Sequence, residues 1–143
     1  MDMEELYFQS ATWLRRALLT NEANPEALFL LAKLHEEGLA VDQNIERAIG
    51  YIERAANLGM TKAMTKIAHY HYSGYSDDRY RFPANKGKAL DLYQRAMELG
   101  DSEASNCLGL IYEKWPIYLT SNLSFEERLI KAKECYLKAI NQG

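Results

Sequence analysis

Three twelve-residue segments of this chain are near copies of one another and recur at an almost constant spacing. They read AIGYIERAANLG, ALDLYQRAMELG and AKECYLKAINQG, over residues 48–59, 89–100 and 132–143. The glycines that end them, Gly59, Gly100 and Gly143, are 41 and 43 residues apart. Because glycine readily adopts the left-handed conformation that terminates a helix, each segment is predicted to be a helix that stops at its glycine. A regular period of this length indicates a repeat architecture.

A second set of copies lies before the first set and carries one apolar helical face. These segments span residues 27–38, 63–74 and 104–115. Aligned, they share apolar or small residues at Ala27, Ala63 and Ala104, at Leu31, Ile67 and Leu108, at Ala32, Ala68 and Gly109, and at Leu34, Tyr70 and Ile111. That spacing keeps the shared positions on one side of a helix. The small residues let a partner helix approach closely, as do alanines of the first set: Ala48, Ala55, Ala89, Ala96, Ala132 and Ala139.

Each repeat is therefore predicted to contain a helix A from the second set, a loop, and a helix B from the first set. Such a pair cannot cover its own apolar face, so neighbouring pairs must stack into a solenoid. The predicted divisions are an N-terminal helix over 1–23 and repeats over 24–59, 60–100 and 101–143, with inserted loops at 75–88 and 116–131. The first repeat is predicted to start with Asn24 as helix cap and Pro25 in the first turn.

The N-terminal segment allows two interpretations. Trp13, Leu14 and Ala17 match helix B positions of an incomplete preceding repeat. Helical spacing extends back through Leu6, Tyr7 and Ser10, which favours a native helix. However, EELYFQS differs by one residue from a protease cleavage site used in cloning, so residues 1–10 are alternatively a remnant of a tag.

Composition limits the classes of partner. The chain has 143 residues, 48% apolar and 26% charged, as expected for one soluble globular domain. Its net charge of −3 comes from interspersed acidic and basic residues, and no apolar run reaches the roughly 20 residues that span a bilayer. Neither a nucleic acid nor a membrane is therefore predicted as a partner. The chain has only two cysteines, Cys107 and Cys135, which favours a reducing compartment such as the cytoplasm. They are predicted to be buried thiols or, alternatively, to form a disulfide.

These aligned positions resemble the Sel1-like repeat, a relative of the tetratricopeptide repeat. The shared pattern is A-x-x-x-L-[AG]-x-[LIY], a glycine about four residues later, and A-x-x-x-[YI]-x-[RK]-A-x-x-x-G. The resemblance covers about Ser10 to Gly143 and is best from Ala27 to Gly59. It implies an all-α, right-handed superhelix of antiparallel helix pairs. It also implies a protein-interaction scaffold or adaptor that binds a protein or peptide.

The resemblance places the partner on the concave face, which is lined by helix A residues outside the core. In this chain the positions are Phe29, Lys33, Glu36, Thr65, His69, Tyr72, Asn106, Leu110 and Glu113. The aromatic-rich inserted loops are a second candidate surface, through Tyr80, Arg81, Phe82 and Tyr118. Each of these residues has an alternative interpretation, as a solvated helix position or as a loop residue packed onto its own repeat.

No catalytic, cofactor-binding or metal-binding constellation is predicted. His69 and His71 are two residues apart on a helix and point to different sides, so they do not form a metal pair. His35 and His71 align with Tyr112, which favours packing over catalysis. A non-catalytic adaptor is therefore predicted. The alternative is a regulatory or targeting module of a larger multidomain protein, such as an enzyme whose catalytic domain lies outside this chain.

The sequence ends at the closing glycine of a repeat, with no polar capping helix after it. Solenoid ends need such caps because the last helix pair otherwise leaves an apolar face in water. Two expectations follow, a longer array from which this chain is a fragment, or self-association through the last repeat.

Overall fold

The structure, a computed structural model, describes residues 2–20, 24–114 and 122–142. Its elements in chain order are α1 Met3–Thr20, α2 Pro25–Glu37, α3 Ile45–Asn57, α4 Thr61–Ser73, β1 Tyr75–Ser76, β2 Arg81–Phe82, α5 Lys86–Glu98, α6 Ser102–Lys114 and α7 Phe125–Gln142. The helical prediction is confirmed. The two short strands, which pair antiparallel with Tyr75 opposite Phe82, were not predicted.

The chain forms two compact units. Unit 1 comprises Met1–Ile67 with Asp78–Tyr80, and unit 2 comprises Ala68–Asp77 with Arg81–Gly143. The boundary therefore falls inside α4 and at the tip of the β hairpin.

In unit 1, α1 packs against α2 through one row of side chains. Ala11 is buried with Leu31 and Leu34, and half-buried apolar residues of α1 surround them: Tyr7, Leu14 and Leu18. These residues follow one helical face, since the row Tyr7, Ala11, Leu14, Leu18 advances by three or four residues. Trp13, which was matched to a helix B position, lies off that row and is 67% exposed.

The aligned small and large positions are buried as predicted in both units. In unit 1 the buried set includes Ala27, Leu31, Ala32, Leu34, Ala48 and Ala55. In unit 2 it includes Ala68, Ala89, Ala96, Ala104, Leu108, Gly109, Ile111 and Ala132. Tyr70 and Ala139 are half-buried.

Asparagine caps start three of the helices. The side chains of Asn24, Asn44 and Asn85 each accept a hydrogen bond from the backbone N–H three residues later, at 3.0, 3.0 and 3.1 Å. Only the first of these caps was predicted. The N–H groups of Asn44 and Asn85 also donate to the carbonyls of His35 and His71, at 2.9 and 2.6 Å. The A–B loops of the first two repeats thus return to the same position of their helix A.

Two inserted loops are shorter than predicted. The loop predicted at 116–131 ends at Ser124, because α7 already begins at Phe125. Ser124 and Glu127 form a capping box, in which the Glu127 N–H donates to Ser124 Oγ and the Ser124 N–H donates to Glu127 Oε2, at 3.1 and 3.2 Å. The loop predicted at 75–88 is corrected similarly, since it contains the β hairpin and ends where α5 begins.

Glycine closes helix B as predicted where the structure describes it. Gly59 and Gly100 have φ of 95° and 99°, which L side chains rarely adopt. Gly143 lies outside the described residues.

Gly109 shows why one shared position must be small. A Cβ atom built there would lie 2.6 Å from Cε1 and 2.7 Å from Cδ1 of Tyr136 on α7. The Tyr136 hydroxyl donates to Glu113 Oε2 at 2.6 Å, which fixes the ring over the glycine. By contrast, a Cβ at Gly50, in the middle of α3, would meet no atom within 4 Å. Close packing therefore requires glycine at the first of these positions only.

We predict opposite effects of one substitution at these two glycines. Gly109→Ala should lower the free energy of unfolding by about 1 kcal/mol, because the strain against Tyr136 exceeds the gain in helix propensity. Gly50→Ala should raise it by about 0.5–1 kcal/mol, because only the propensity gain applies. Urea unfolding followed by circular dichroism measures both. Equal stabilisation by the two substitutions would show that Tyr136 does not constrain Gly109.

Candidate functional site

The predicted partner-binding residues fall in both units, and each unit is described by itself. In unit 1 they form a patch of Phe29, Lys33 and Glu36 on α2, here called the unit 1 patch. Lys33 Nζ lies 5.2 Å from the centroid of the half-buried Phe29 ring, a cation–π geometry. Glu36 is also half-buried, and its Oε2 atom lies 3.4 Å from Lys66 Nζ. The patch therefore offers an aromatic edge beside positive and negative charge.

Thr65 does not belong to this surface. It is 1% exposed, and its neighbours Ala63 and Met64 are buried too. Burial of successive residues means that α4 is covered around more of its circumference than a one-face pattern implies. The prediction of Thr65 as a surface contact was therefore wrong.

In unit 2 the predicted residues are His69 and Tyr72 on α4 and Asn106, Leu110 and Glu113 on α6, here called the unit 2 patch. His69 is held from both sides of its ring. Its Nε2 lies 3.2 Å from Glu103 Oε1, and its Nδ1 is hydrogen-bonded to the Tyr93 hydroxyl. Because a carboxylate only accepts, the neutral ring donates from Nε2 to Glu103, and the Tyr93 hydroxyl donates to Nδ1. The imidazole is thereby fixed in one tautomer and orientation.

Tyr93 and the nearby Cys107 are not ionised at neutral pH. Burial, with a smaller contribution from Glu103, raises the pKa of the Cys107 thiol to about 11. Burial raises the pKa of Tyr93 even further above its ordinary value of 10. A thiol with so high a pKa is a poor nucleophile, so Cys107 does not provide a reactive cysteine here.

The rest of the unit 2 patch combines apolar and polar groups. Lys86 Nζ lies 5.2 Å from the centroid of the Tyr72 ring, whose hydroxyl is buried. Asn106 and Leu110 are exposed, the latter by 38%. Glu113 accepts the Tyr136 hydrogen bond and is still exposed. Asn106 and Leu110 therefore have the side chains of this patch that are most accessible to a partner.

The loop residues have mixed roles. Phe82 packs onto α4, since the centroid of its ring lies 4.8 Å from that of His71 and 6.3 Å from that of Tyr70. Its role is therefore structural. Tyr80 is half-buried, and burial, with smaller contributions from the charges of Glu46 and Glu53, raises its pKa. Arg81 is exposed, and Tyr118 lies outside the described residues.

His35 and His71 are buried at equivalent positions and differ in one contact. His35 Nδ1 lies 3.3 Å from the Asp42 carbonyl oxygen, to which it donates. His71 Nδ1 is buried and has no hydrogen-bond partner among the described residues. Burial lowers the pKa of both imidazoles below the ordinary value of 6.5. Both are therefore neutral packing residues, as the alignment with Tyr112 indicated.

The third repeat exposes apolar side chains along α7. Ile140 is 73% exposed, whereas the aligned Ala56 and Met97 are buried. With Leu129 and Leu137 it lines a depression of about 300 Å³. Self-association through this repeat stays a prediction.

Within residues 2–20, 24–114 and 122–142, no group of three or more His, Cys, Asp or Glu side chains is placed to hold a metal ion. None of the described helices is long and apolar enough to cross a bilayer. The absence of nucleic-acid and membrane partners stays a prediction.

Comparison with known proteins identifies the family. The Sel1 repeat profile matches residues 25–60, 61–101 and 129–143, which is more than half of the chain. The chain belongs to the Sel1 repeat family. A Sel1 repeat protein from Oxalobacter formigenes superposes with a TM-score of 0.74 at 25% identity, covering 95% of this chain and 50% of that one. The fold is thus the all-α helical-repeat solenoid that was predicted.

Two further relatives are informative. A protective antigen of uropathogenic Escherichia coli strains with an SLR fold gives a TM-score of 0.73 at 20% identity, over 96% of this chain and 27% of that one. The ERAD-associated E3 ubiquitin-protein ligase component HRD3 of Candida glabrata is 30% identical over 115 residues. That match covers 78% of this Sel1 repeat chain but only 13% of HRD3.

Some residues of the patches escaped the sequence analysis. Glu103, Tyr93, Lys66 and Lys86 contact predicted residues but were not themselves predicted. Glu103 and His69 are 34 residues apart and lie on α6 and α4, the helices A of consecutive repeats. The signal in the sequence that could have found Glu103 is therefore a polar residue on the next helix A that can pair with a polar residue such as His69.

The equivalent histidines give a prediction on pH. Since the pKa of each is lowered on folding, the unfolded chain binds protons more readily, and stability is lost as pH falls below about 6.5. His71→Phe should remove part of this loss and raise the free energy of unfolding at pH 5.5 by about 1 kcal/mol. Thermal unfolding at pH 5.5 and 7.5 measures the effect.

His35→Phe is the matched control. It removes the hydrogen bond to the Asp42 carbonyl, so it should destabilise the protein at pH 7.5, where His71→Phe should not. An unchanged acid sensitivity in His71→Phe would show that this imidazole does not titrate below 6.5 as argued.

Proposed function

We propose that this Sel1 repeat chain is a non-catalytic protein-interaction adaptor that binds a partner peptide or helix through its two patches. The observation that carries the proposal is the preorganisation of their side chains. His69 is fixed through both ring nitrogens, and Phe29 is covered by Lys33. Groups held in place before binding lose little conformational entropy when a partner arrives.

The unit 2 patch supports recognition of a polar segment with one apolar anchor. Glu103 exposes its carboxylate beside His69 and can accept from a backbone N–H or a cationic side chain of the partner. Leu110 on the same helix offers an apolar contact. Such a combination of an apolar centre with a polar rim is typical of protein interfaces.

Two observations support a non-catalytic role. The raised pKa of Cys107 keeps its thiol protonated, and that of Tyr93 keeps its hydroxyl protonated. His69, the one imidazole at a patch, has both nitrogens engaged by side chains of the protein. A general base would need one of these nitrogens for the substrate.

Substitutions on the patches test the proposal. Phe29→Ala and Leu110→Ala remove side chains that the core does not need, so far-UV circular dichroism should not change. Each should weaken binding of a partner identified by affinity capture and mass spectrometry by about tenfold, the effect of losing one interface anchor. Isothermal titration calorimetry with the purified partner measures this loss.

Phe125→Ala provides the matched control. Phe125 is exposed on α7 with Arg128 over its ring, so it resembles the cation-covered Phe29 but lies outside both patches. Its substitution should leave affinity unchanged. If Phe125→Ala weakens binding while Phe29→Ala and Leu110→Ala do not, the partner binds elsewhere.

The similarity to HRD3 favours a second candidate function, a regulatory or targeting module of a larger assembly. HRD3 is named as a component of an E3 ubiquitin-protein ligase, and the match spans a small part of its length. Under this alternative the captured partner is an enzyme or its bound substrate, and the isolated chain binds it without turnover. Recovery of partners that include no enzyme would favour the simple adaptor.

A further inference from the structure

Unit 1 contains a cleft of about 1100 Å³ that the proposed function does not use. It lies between α1 and the loop that joins α2 to α3. Apolar groups of Tyr7, Leu39 and Val41 line part of it, and the same residues pack against the unit 1 core. The cleft is therefore supported by the hydrophobic core beneath it.

One end of the cleft brings together two arginines and a buried imidazole. Arg15 comes from α1 and Arg47 from α3, and both lie close enough to His35 to act on its charge. Neither guanidinium has an ion pair within the described part of the chain. His35 is 3% exposed, and its ring stacks on Tyr51 with centroids 5.8 Å apart. Two unpaired guanidinium groups beside a fixed imidazole are suited to an anionic group.

Four acidic residues line the cleft, and one of them, Asp42, lies at the arginine end, where its backbone carbonyl oxygen is 3.3 Å from His35 Nδ1. Asp2, Glu4 and Glu5 are at the start of α1, whereas Arg15 is three turns further along the helix. Glu4 and Arg15 are eleven residues apart, which corresponds to about 16 Å along a helix. This separation exceeds the Debye length of about 8 Å at physiological ionic strength. The start of α1 thus leaves the charge of Arg15 largely uncompensated, and the single carboxylate of Asp42 against two guanidinium groups leaves a net positive charge at this end.

We propose that the end of the cleft formed by Arg15, His35 and Arg47 binds a carboxylate of an acidic peptide segment. Guanidinium groups donate paired hydrogen bonds that match the two oxygens of a carboxylate. The apolar lining of Tyr7, Leu39 and Val41 accommodates the neighbouring residues of the segment. This site shares no residue with the two patches, so it stands or fails independently of the proposed function.

Binding at this site is linked to protonation of His35. Burial and the nearby Arg47 and Arg15 charges lower the pKa of this imidazole. A bound carboxylate offsets the arginine charges and therefore raises the pKa, so affinity increases as pH falls from 7.5 to 5.5. The other titratable groups lining the cleft are Asp2, Glu4, Glu5, Tyr7 and Asp42.

Fluorescence anisotropy with a labelled peptide tests the proposal. The probe contains three consecutive glutamates between glycine–serine flanks, and the comparison peptides carry glutamine or phosphoserine instead. Arg15→Gln and Arg47→Gln should each weaken binding of the glutamate peptide about tenfold. Arg16→Gln is the matched control, since Arg16 lies on the same helix, loses the same charge, and lies over Trp13 rather than in the cleft. It should change affinity less than twofold.

An NMR titration of the His35 ring signals provides a second readout. Saturating glutamate peptide should raise the pKa of His35 in the unsubstituted chain and leave it unchanged in Arg15→Gln/Arg47→Gln. Equal losses with Arg16→Gln, binding of the glutamine peptide as tight as that of the glutamate peptide, or no binding of any peptide at millimolar concentration would overturn the site. A tenfold preference for phosphoserine would overturn its assignment to a carboxylate.

Discussion

Close approach of paired helices depends on small side chains at their interface. Alanine fills this role at Ala32 and Ala68, and Gly109 fills it in the third repeat, where the Tyr136 ring occupies the space of a methyl group. The exchange of alanine for glycine therefore allows a large aromatic ring on the opposite helix. Each repeat solves the same packing problem with a different pair of volumes, as native packing density requires.

The same helices provide both the core and the patches. The helix A residues that face the core fix the position of the helix. The residues that face away from the core include Phe29, His69 and Leu110. His69 shows how the two roles meet, because its ring is held by Tyr93, which is buried, and by Glu103, which is exposed. The partly exposed imidazole of His69 is thereby held in place by a contact with the buried core.

The sequence predicted the helices, the buried alignment positions and the family, because these depend on periodicity within one chain. It failed where a residue's environment depends on a distant neighbour. Thr65 is buried although it lies off the apolar row, and Trp13 is exposed, whereas Ala11 of the same helix packs against α2. The start of α7 was missed although its signal is local, since Ser124 and Glu127 have the spacing of a capping box. The cleft at Arg15 and Arg47 could not be predicted from the sequence, since no motif joins residues so far apart.

In the first two repeats the A–B loop closes with the same backbone hydrogen bond, which has a consequence for how such chains diverge. Eight residues separate His35 from Asn44, and thirteen separate His71 from Asn85, yet both pairs close with the same N–H to carbonyl bond. Closing the longer segment costs less than about 0.6 kcal/mol more in chain entropy, the increment for a doubling of length. Insertions between these anchors can therefore accumulate new surface chemistry in one repeat while the helices on either side keep their register.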